Sequence, residues 1–266
     1  MRYLFGAARE DGCVFCNRLI GNDDVASLIL YRAEHSFVIM NLFPYSSGHI
    51  MIVPNAHAAD PADLDRATRH EMADLLPMMT NVLRRTLNCE GFNSGFNFGE
   101  AGGAGIAEHL HQHVVPRWVG DANFMPVIAS TKVIPEMIPV GYSKIRAEIE
   151  REMTGDNSCT VVALVDDDRS VRLIDGTLPV ITADSGVSIW RSAVLAVAGD
   201  LDEIEVAGWA GSARATPPFT PALVLRGSPT GQGPGEIVPI ETALPRMSVE
   251  QREVIERGLR QLAPRQ

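Results

Sequence analysis

His109-Leu-His-Gln-His-Val-Val-Pro-Arg-Trp118 decides how this chain is read. Its histidines stand at positions i, i+2 and i+4, and on an extended strand such positions project from one face. His109, His111 and His113 are therefore expected in a row, although the chain holds only 7 histidines. Two bland alternatives stand beside a catalytic one: a metal site, or a polar strand with no chemistry. A glycine-rich stretch from Gly99 to Gly105 runs into the row, and glycines let backbone amides close on phosphate oxygens. A neutral imidazole attacks phosphorus at neutral pH, and the phosphohistidine it forms is easily cleaved. His111, central in the row, is the expected nucleophile, with His109 and His113 set to hold its tautomer and the charge that develops.

Upstream, Ser27 to Tyr31 and Ser36 to Met40 read as strands, followed by a turn through Pro44 and Gly48 and a third strand, His49 to Val53. Together they make an antiparallel meander. From Pro61 to Leu87 apolar residues recur with a helical period, with Asp60 as the start signal and Pro77 as a kink or a division. Phe92 to Phe98 is short and aromatic. Pro135 to Met153 ends in a charged helix expected to close a first domain of residues 1–153. After the linker Thr154 to Ser158, a smaller β-rich domain of residues 159–266 is expected, with strands over Cys159 to Val165, Val171 to Ile174, Ile189 to Val197 and Leu223 to Leu225. Loops are expected over Thr216 to Pro221 and Gly227 to Gly235, and a final helix over Ser248 to Leu262, with Ser248 and Gln251 spaced as a capping box.

Composition narrows the partners. The formal net charge is −10 and no basic run marks a nucleic-acid face or a membrane patch. No stretch has the roughly 18 to 20 apolar residues that span a bilayer, and the first residues lack the apolar centre of a secretory signal. A cytoplasmic protein with no nucleic-acid or membrane partner is expected. Any polyphosphate must then be met by local donors or a metal rather than by the field of the whole protein.

The decapeptide resembles the His-x-His-x-His-x-x signature of the histidine-triad superfamily. Asn97-Phe-Gly99 and Trp118-Val-Gly-Asp-Ala-Asn-Phe124 are most similar to its bacterial branch containing diadenosine tetraphosphate phosphorylases, over roughly residues 12 to 150. The resemblance implies an α+β fold with a five-stranded antiparallel sheet, usually a homodimer, acting on the α-phosphate of a nucleotide through a nucleotidyl-histidine intermediate on His111. It further implies that Asn41 meets the ribose hydroxyls and that Asn97, Gly103, Ala104 and His113 line the phosphate site. Gly105 stands where relatives often carry Ser or Gln, so a backbone amide remains and a side-chain donor is lost. The acceptor, inorganic phosphate or water, is left open by that change. His49 and Trp118 are further candidates for nucleotide contact, each with a purely structural alternative.

Cys13-x-x-Cys16 by itself is compatible with redox chemistry, a metal or core packing. The superfamily resemblance implies that the pair joins His57 and His109 in a structural zinc site, closed by four N or S ligands. No organic cofactor is expected. The reaction implied is cleavage of a dinucleoside polyphosphate, foremost by phosphorolysis, with hydrolysis of a nucleoside monophosphate ester or phosphoramidate as its enzymic rival. A third reading is a nucleotide sensor whose C-terminal domain binds a partner. His35 and His70 read as surface or helix positions, Cys89 and Cys159 as buried apolar groups, and Asp166 to Asp168 as a solvated turn.

Overall fold

In the computed structural model the described residues are 11–121, 136–212 and 220–262. They fall into two compact units, residues 1–135 and 136–266. The strand sequence of the first is β1 (Ile29–Arg32), β2 (Ser36–Met40), β3 (Ile50–Pro54), β4 (Gly91–Phe96) and β5 (Gln112–Arg117). They form one antiparallel sheet in the order β1-β2-β3-β5-β4. The meander is as expected, and the late strand β5 inserts between β3 and β4.

Two helices cover this sheet because its strands are apolar on both faces; every residue of β2 and β3 is buried. Phe15, on helix α1 (Val14–Ile20), packs with Ile29, Phe37, Ile39, Met51 and Val53. The other alternation, including Val38, Ile52 and Val114, faces away from these. Helix α3 (Arg66–Leu87), which follows the short helix α2 (Asp24–Ser27), packs on β2, β3 and β5 with Met72, Leu75, Met79, Val82 and Leu83 buried.

The start of α3 differs from the sequence expectation. Asp60 caps only a single 3-10 turn, Pro61–Asp63, and the α-helix opens at Asp65, whose carboxylate accepts from the Thr68 amide at 2.7 Å. Pro77 neither divides nor ends it. Its ring is exposed, and the buried residues on either side hold the helix to the sheet.

The second unit is β-rich, as expected, and its sheet is mixed. Its strands are β6 (Ser158–Val165), β7 (Ser170–Leu173), β8 (Val180–Thr182), β9 (Leu201–Ser212), β10 (Pro221–Pro229) and β11 (Glu236–Pro239). The order is β11-β7-β6-β10-β9, with β8 also on β6, and β10 runs parallel to β6. Helices α4 (Ile138–Thr154), α5 (Ile189–Val197), α6 (Ile240–Ala243) and α7 (Val249–Arg260) complete it.

Three expectations are corrected here. Helix α4 was expected to close the first domain, yet it packs on β9, β10 and α5, so the division falls before it. Ile189 to Val197, expected as a strand, is helical: Ile189, Ala193 and Val197 are buried, whereas Arg191 and Leu195, which a strand would put on the same face, are not. The loop expected over Gly227 to Gly235 begins later, because Gly227 to Pro229 continue β10. The final helix is as expected, with the Gln251 amide donating to Ser248 Oγ at 3.3 Å. Residues 216–219 of the other expected loop, 122–124 of the quoted motif and Pro135 lie outside the described residues.

Candidate active site and metal centre

Strand β5 begins only at Gln112, so of the three triad histidines His113 alone is in the sheet, paired with Met51 of β3 and Gly95 of β4. The preceding segment is tied elsewhere: the Leu110 amide donates to the Ala58 carbonyl at 2.7 Å. This frees the His109 carbonyl to accept from His111 Nδ1 at 2.9 Å. A carbonyl only accepts, so Nδ1 carries the ring proton and Nε2 of His111 keeps its lone pair. His111 is 4% exposed, and burial lowers its pKa, which keeps that lone pair available at neutral pH.

A second chain of hydrogen bonds sets His113. Gly48, at φ +71°, turns the backbone into β3 and delivers His49, which is fully buried. The Tyr45 amide donates to His49 Nδ1 at 3.1 Å, so the His49 proton lies on Nε2, 3.0 Å from His113 Nδ1. His113 therefore accepts at Nδ1 and in its neutral form carries its proton on Nε2. Burial and the neighbouring His111 push its pKa down to about 4. The rings of His111 and His113 meet at 4.9 Å and 75°. His49, which a sequence reading leaves between two roles, thus belongs to the histidine cluster.

Asn41 is buried, its Oδ1 accepting from the Phe43 amide at 2.9 Å and its Nδ2 lying 3.3 and 3.4 Å from the ring nitrogens of His49. Its side chain is thus engaged by the loop and by His49. Asn97, Gly103, Ala104 and Gly105 lie on the connection from β4 into the triad segment, with a 3-10 turn, Glu100–Gly102, between them. Gly103 sits at φ +71°, a backbone state that favours glycine. Trp118 stands beyond β5 on a turn closed by Asp121, which accepts from its amide at 3.0 Å. Among the described residues no ring contact joins Trp118 to the histidines.

Cys13, Cys16, His57 and His109 come together with all four candidate ligand atoms within 4.8 Å of one another. Cys13 Sγ and Cys16 Sγ lie 3.2 and 3.6 Å from His109 Nδ1, and Cys16 Sγ lies 3.4 Å from His57 Nδ1. Tetrahedral zinc with ordinary Zn–S and Zn–N lengths has S···N edges of about 3.5 Å. His109 Nε2 donates to the Pro54 carbonyl at 2.9 Å, which leaves the Nδ1 lone pair facing the thiols. The residues fit a four-coordinate metal, and this cluster could bind one. His109 is thereby shared, its ring in the metal cluster and its carbonyl on the nucleophile candidate.

Sequence reasoning missed two contributors. Phe15, inside the Cys-x-x-Cys turn, packs on both His109 and His111; the signal was an apolar residue two positions after the first cysteine. The backbone amide of Tyr45 fixes the His49 tautomer, and no side-chain pattern announces such a donor.

Compared with known proteins, residues 22–119 match the family model of the HIT domain. The match begins after both cysteines. An AP-4-A phosphorylase from Mycobacterium tuberculosis is 38% identical over 115 residues, 43% of this chain and 59% of that protein. This chain therefore spans well under two thirds of that relative. An uncharacterized 16.1 kDa HIT-like protein from Mycoplasma pneumoniae is 31% identical over 109 residues, 41% of this chain and 74% of that protein. A crystal structure of a Zn-bound histidine triad family protein from Mycobacterium smegmatis aligns with TM-score 0.42 and 26% identity, covering 52% of this chain and 94% of that one.

Proposed function

This chain belongs to the HIT family, and from that premise we propose that its N-terminal unit cleaves a dinucleoside polyphosphate or a related nucleotide at the α-phosphate through a nucleotidyl-His111 intermediate. The observation that carries the reading is the hydrogen bond from His111 Nδ1 to the His109 carbonyl. It leaves Nε2 as a buried, neutral nucleophile, whereas a module that merely senses nucleotides needs no such atom.

The step balances simply. Nε2 of His111 forms a bond to the α-phosphorus while the bond from that phosphorus to the leaving phosphate oxygen breaks. An oxygen of inorganic phosphate or water then takes the nucleotidyl group, and the P–N bond breaks. His113, with Nδ1 filled by His49, offers an Nε2 proton to a phosphate oxygen, while Gly103, Ala104 and Gly105 offer backbone amides. Asn97, Trp118 and, after release of its loop contact, Asn41 are the further nucleotide contacts of this reading. Phosphorolysis is preferred because the 38% identical relative is an AP-4-A phosphorylase.

Zinc is the metal proposed for the Cys13, Cys16, His57 and His109 cluster. A closed site of this kind stabilises structure and leaves no position for substrate. The first and second units are read as residues 1–135 and 136–266, and a homodimer in a cytoplasmic setting completes the proposal.

Incubation with diadenosine tetraphosphate, with and without phosphate, tests it. ADP and ATP formed only with phosphate establish phosphorolysis, and AMP and ATP formed regardless of phosphate establish hydrolysis. His111→Ala is expected to lower kcat by about 10³-fold or more. Turnover that survives this change removes the intermediate from the scheme.

A further inference from the structure

His111 is held from three directions, and two of them lead to the metal cluster. Its Nδ1–H donates to the carbonyl of His109, whose ring is a candidate ligand. One neighbouring ring is His113, at 4.9 Å. Another is Phe15, with centroids 5.1 Å apart and an interplanar angle of 50°. Phe15 meets His109 as well, edge-on at 5.3 Å and 70°, and is only 2% exposed.

Phe15 cannot move independently of the cysteines. Cys13 is the N-cap of α1, its carbonyl accepts from the Asn17 amide at 2.9 Å, and Cys16 follows within the same turn. A metal that binds both thiols would fix both ends of the four-residue turn, Cys13 to Cys16, that carries the Phe15 ring. Against the sheet the ring is backed by Phe37, at 6.5 Å and 66°. A bound metal would therefore restrain His111 twice, through the His109 carbonyl and through the Phe15 ring.

We infer that Phe15 is a positioning residue that couples occupancy of the Cys13, Cys16, His57 and His109 site to the orientation and tautomer of His111. This rests on the reading of His111 as nucleophile. In the loaded protein His111 is held as the single Nδ1-protonated tautomer. With the metal removed, the turn and the His109 ring relax together and the Nε2-protonated tautomer, which cannot attack, becomes populated.

The test is 15N spectroscopy of the histidine rings in the full chain, zinc-loaded and after chelation, for wild type and Phe15→Leu, with zinc content measured on each. The expected result is one tautomer of His111 in loaded wild type and a mixture after chelation. Phe15→Leu is expected to retain its zinc yet show the mixture already when loaded. Its kcat on a dinucleoside polyphosphate is expected to fall by about tenfold while KM stays within about twofold, as a misaligned nucleophile requires. Persistence of the single Nδ1-protonated tautomer after chelation overturns the coupling. The same tautomer in loaded Phe15→Leu overturns the role of the ring. Should Leu at this buried position cost the fold or the zinc, Phe15→Met supplies the same comparison with a longer, more adaptable side chain. Absence of turnover in wild type would overturn the proposed reaction alone, since the tautomer is read without substrate.

Discussion

At the scale of single residues, His113 gives the sharpest consequence. Its pKa is pushed down to about 4, whereas an unfolded chain holds histidine near 6.5. Between these values the unfolded state binds the extra proton, so folding stability falls as pH drops from 6.5 towards 4 and is fully present above 6.5. Relative to His113→Gln, wild type is expected to lose up to about 3 kcal/mol across that window. Urea unfolding of both proteins at pH 7, 5.5 and 4 measures this, and a constant difference would show that the ring does not resist protonation. Legibility at this scale was uneven. The triad stood out because its spacing is its signal. His49, alone in its stretch of sequence, gained a role only from lying 3.0 Å from His113.

At the scale of elements, helix α3 and the turn before β3 carry testable energetics. Pro77 sits inside α3 with its ring exposed, and proline in a helix interior cannot donate to the carbonyl four residues back. Pro77→Ala is expected to stabilise the unit by about 1–3 kcal/mol, since alanine restores that bond and loses no packing. A thermal melt that shifts downward instead would mean that the proline ring has a packing role. Gly48 has the opposite character. It lies at φ +71°, and a Cβ there would meet the Leu87 side chain of α3. Gly48→Ala is expected to cost about 1–3 kcal/mol and to displace His49, lowering turnover as well as the melting temperature. A variant with wild-type turnover would separate the turn from the histidine relay. Strand β9, which carries Gly208 and Gly211, was not among the expected strands. A Cβ on Gly208 would lie 3.0 Å from the Gln261 carbonyl at the end of α7, so this glycine serves close packing inside a strand.

At the scale of the whole molecule, each unit closes its own core and contains a polar device, that of the first expected from the sequence and that of the second not. In the first unit the Cys13, Cys16, His57 and His109 cluster brings together α1, the segment after β3 and the triad segment, and a metal bound there would join residues as far apart as Cys13 and His109. Chelation is expected to lower stability by about 4 kcal/mol relative to free zinc held near 10³ times its dissociation constant. Unfolding curves with and without chelator check this, and coincident curves would mean that the cluster binds no stabilising metal. In the second unit Arg172 and Asp200 form an ion pair with both side chains only 4% exposed. The glycines of the covering loop allow it, since a Cβ on Gly233 would meet Asp200 and one on Gly235 would meet Arg172.

From the sequence alone came the five strands and the long helix of the first unit and the candidate role of its histidines, though not helices α1 and α2. Strand alternation, helical period and His-x-His-x-His spacing are local patterns that act over a few residues, and they survive without knowledge of the fold. Tertiary structure alone decided where α4 belongs, that 189–197 is a helix, and how His49, Phe15 and the Tyr45 amide converge on the triad. A short apolar run satisfies helix and strand equally until a partner surface selects one. Likewise, a tautomer is set by whichever donor or acceptor arrives across the fold, and chain order does not encode that arrival.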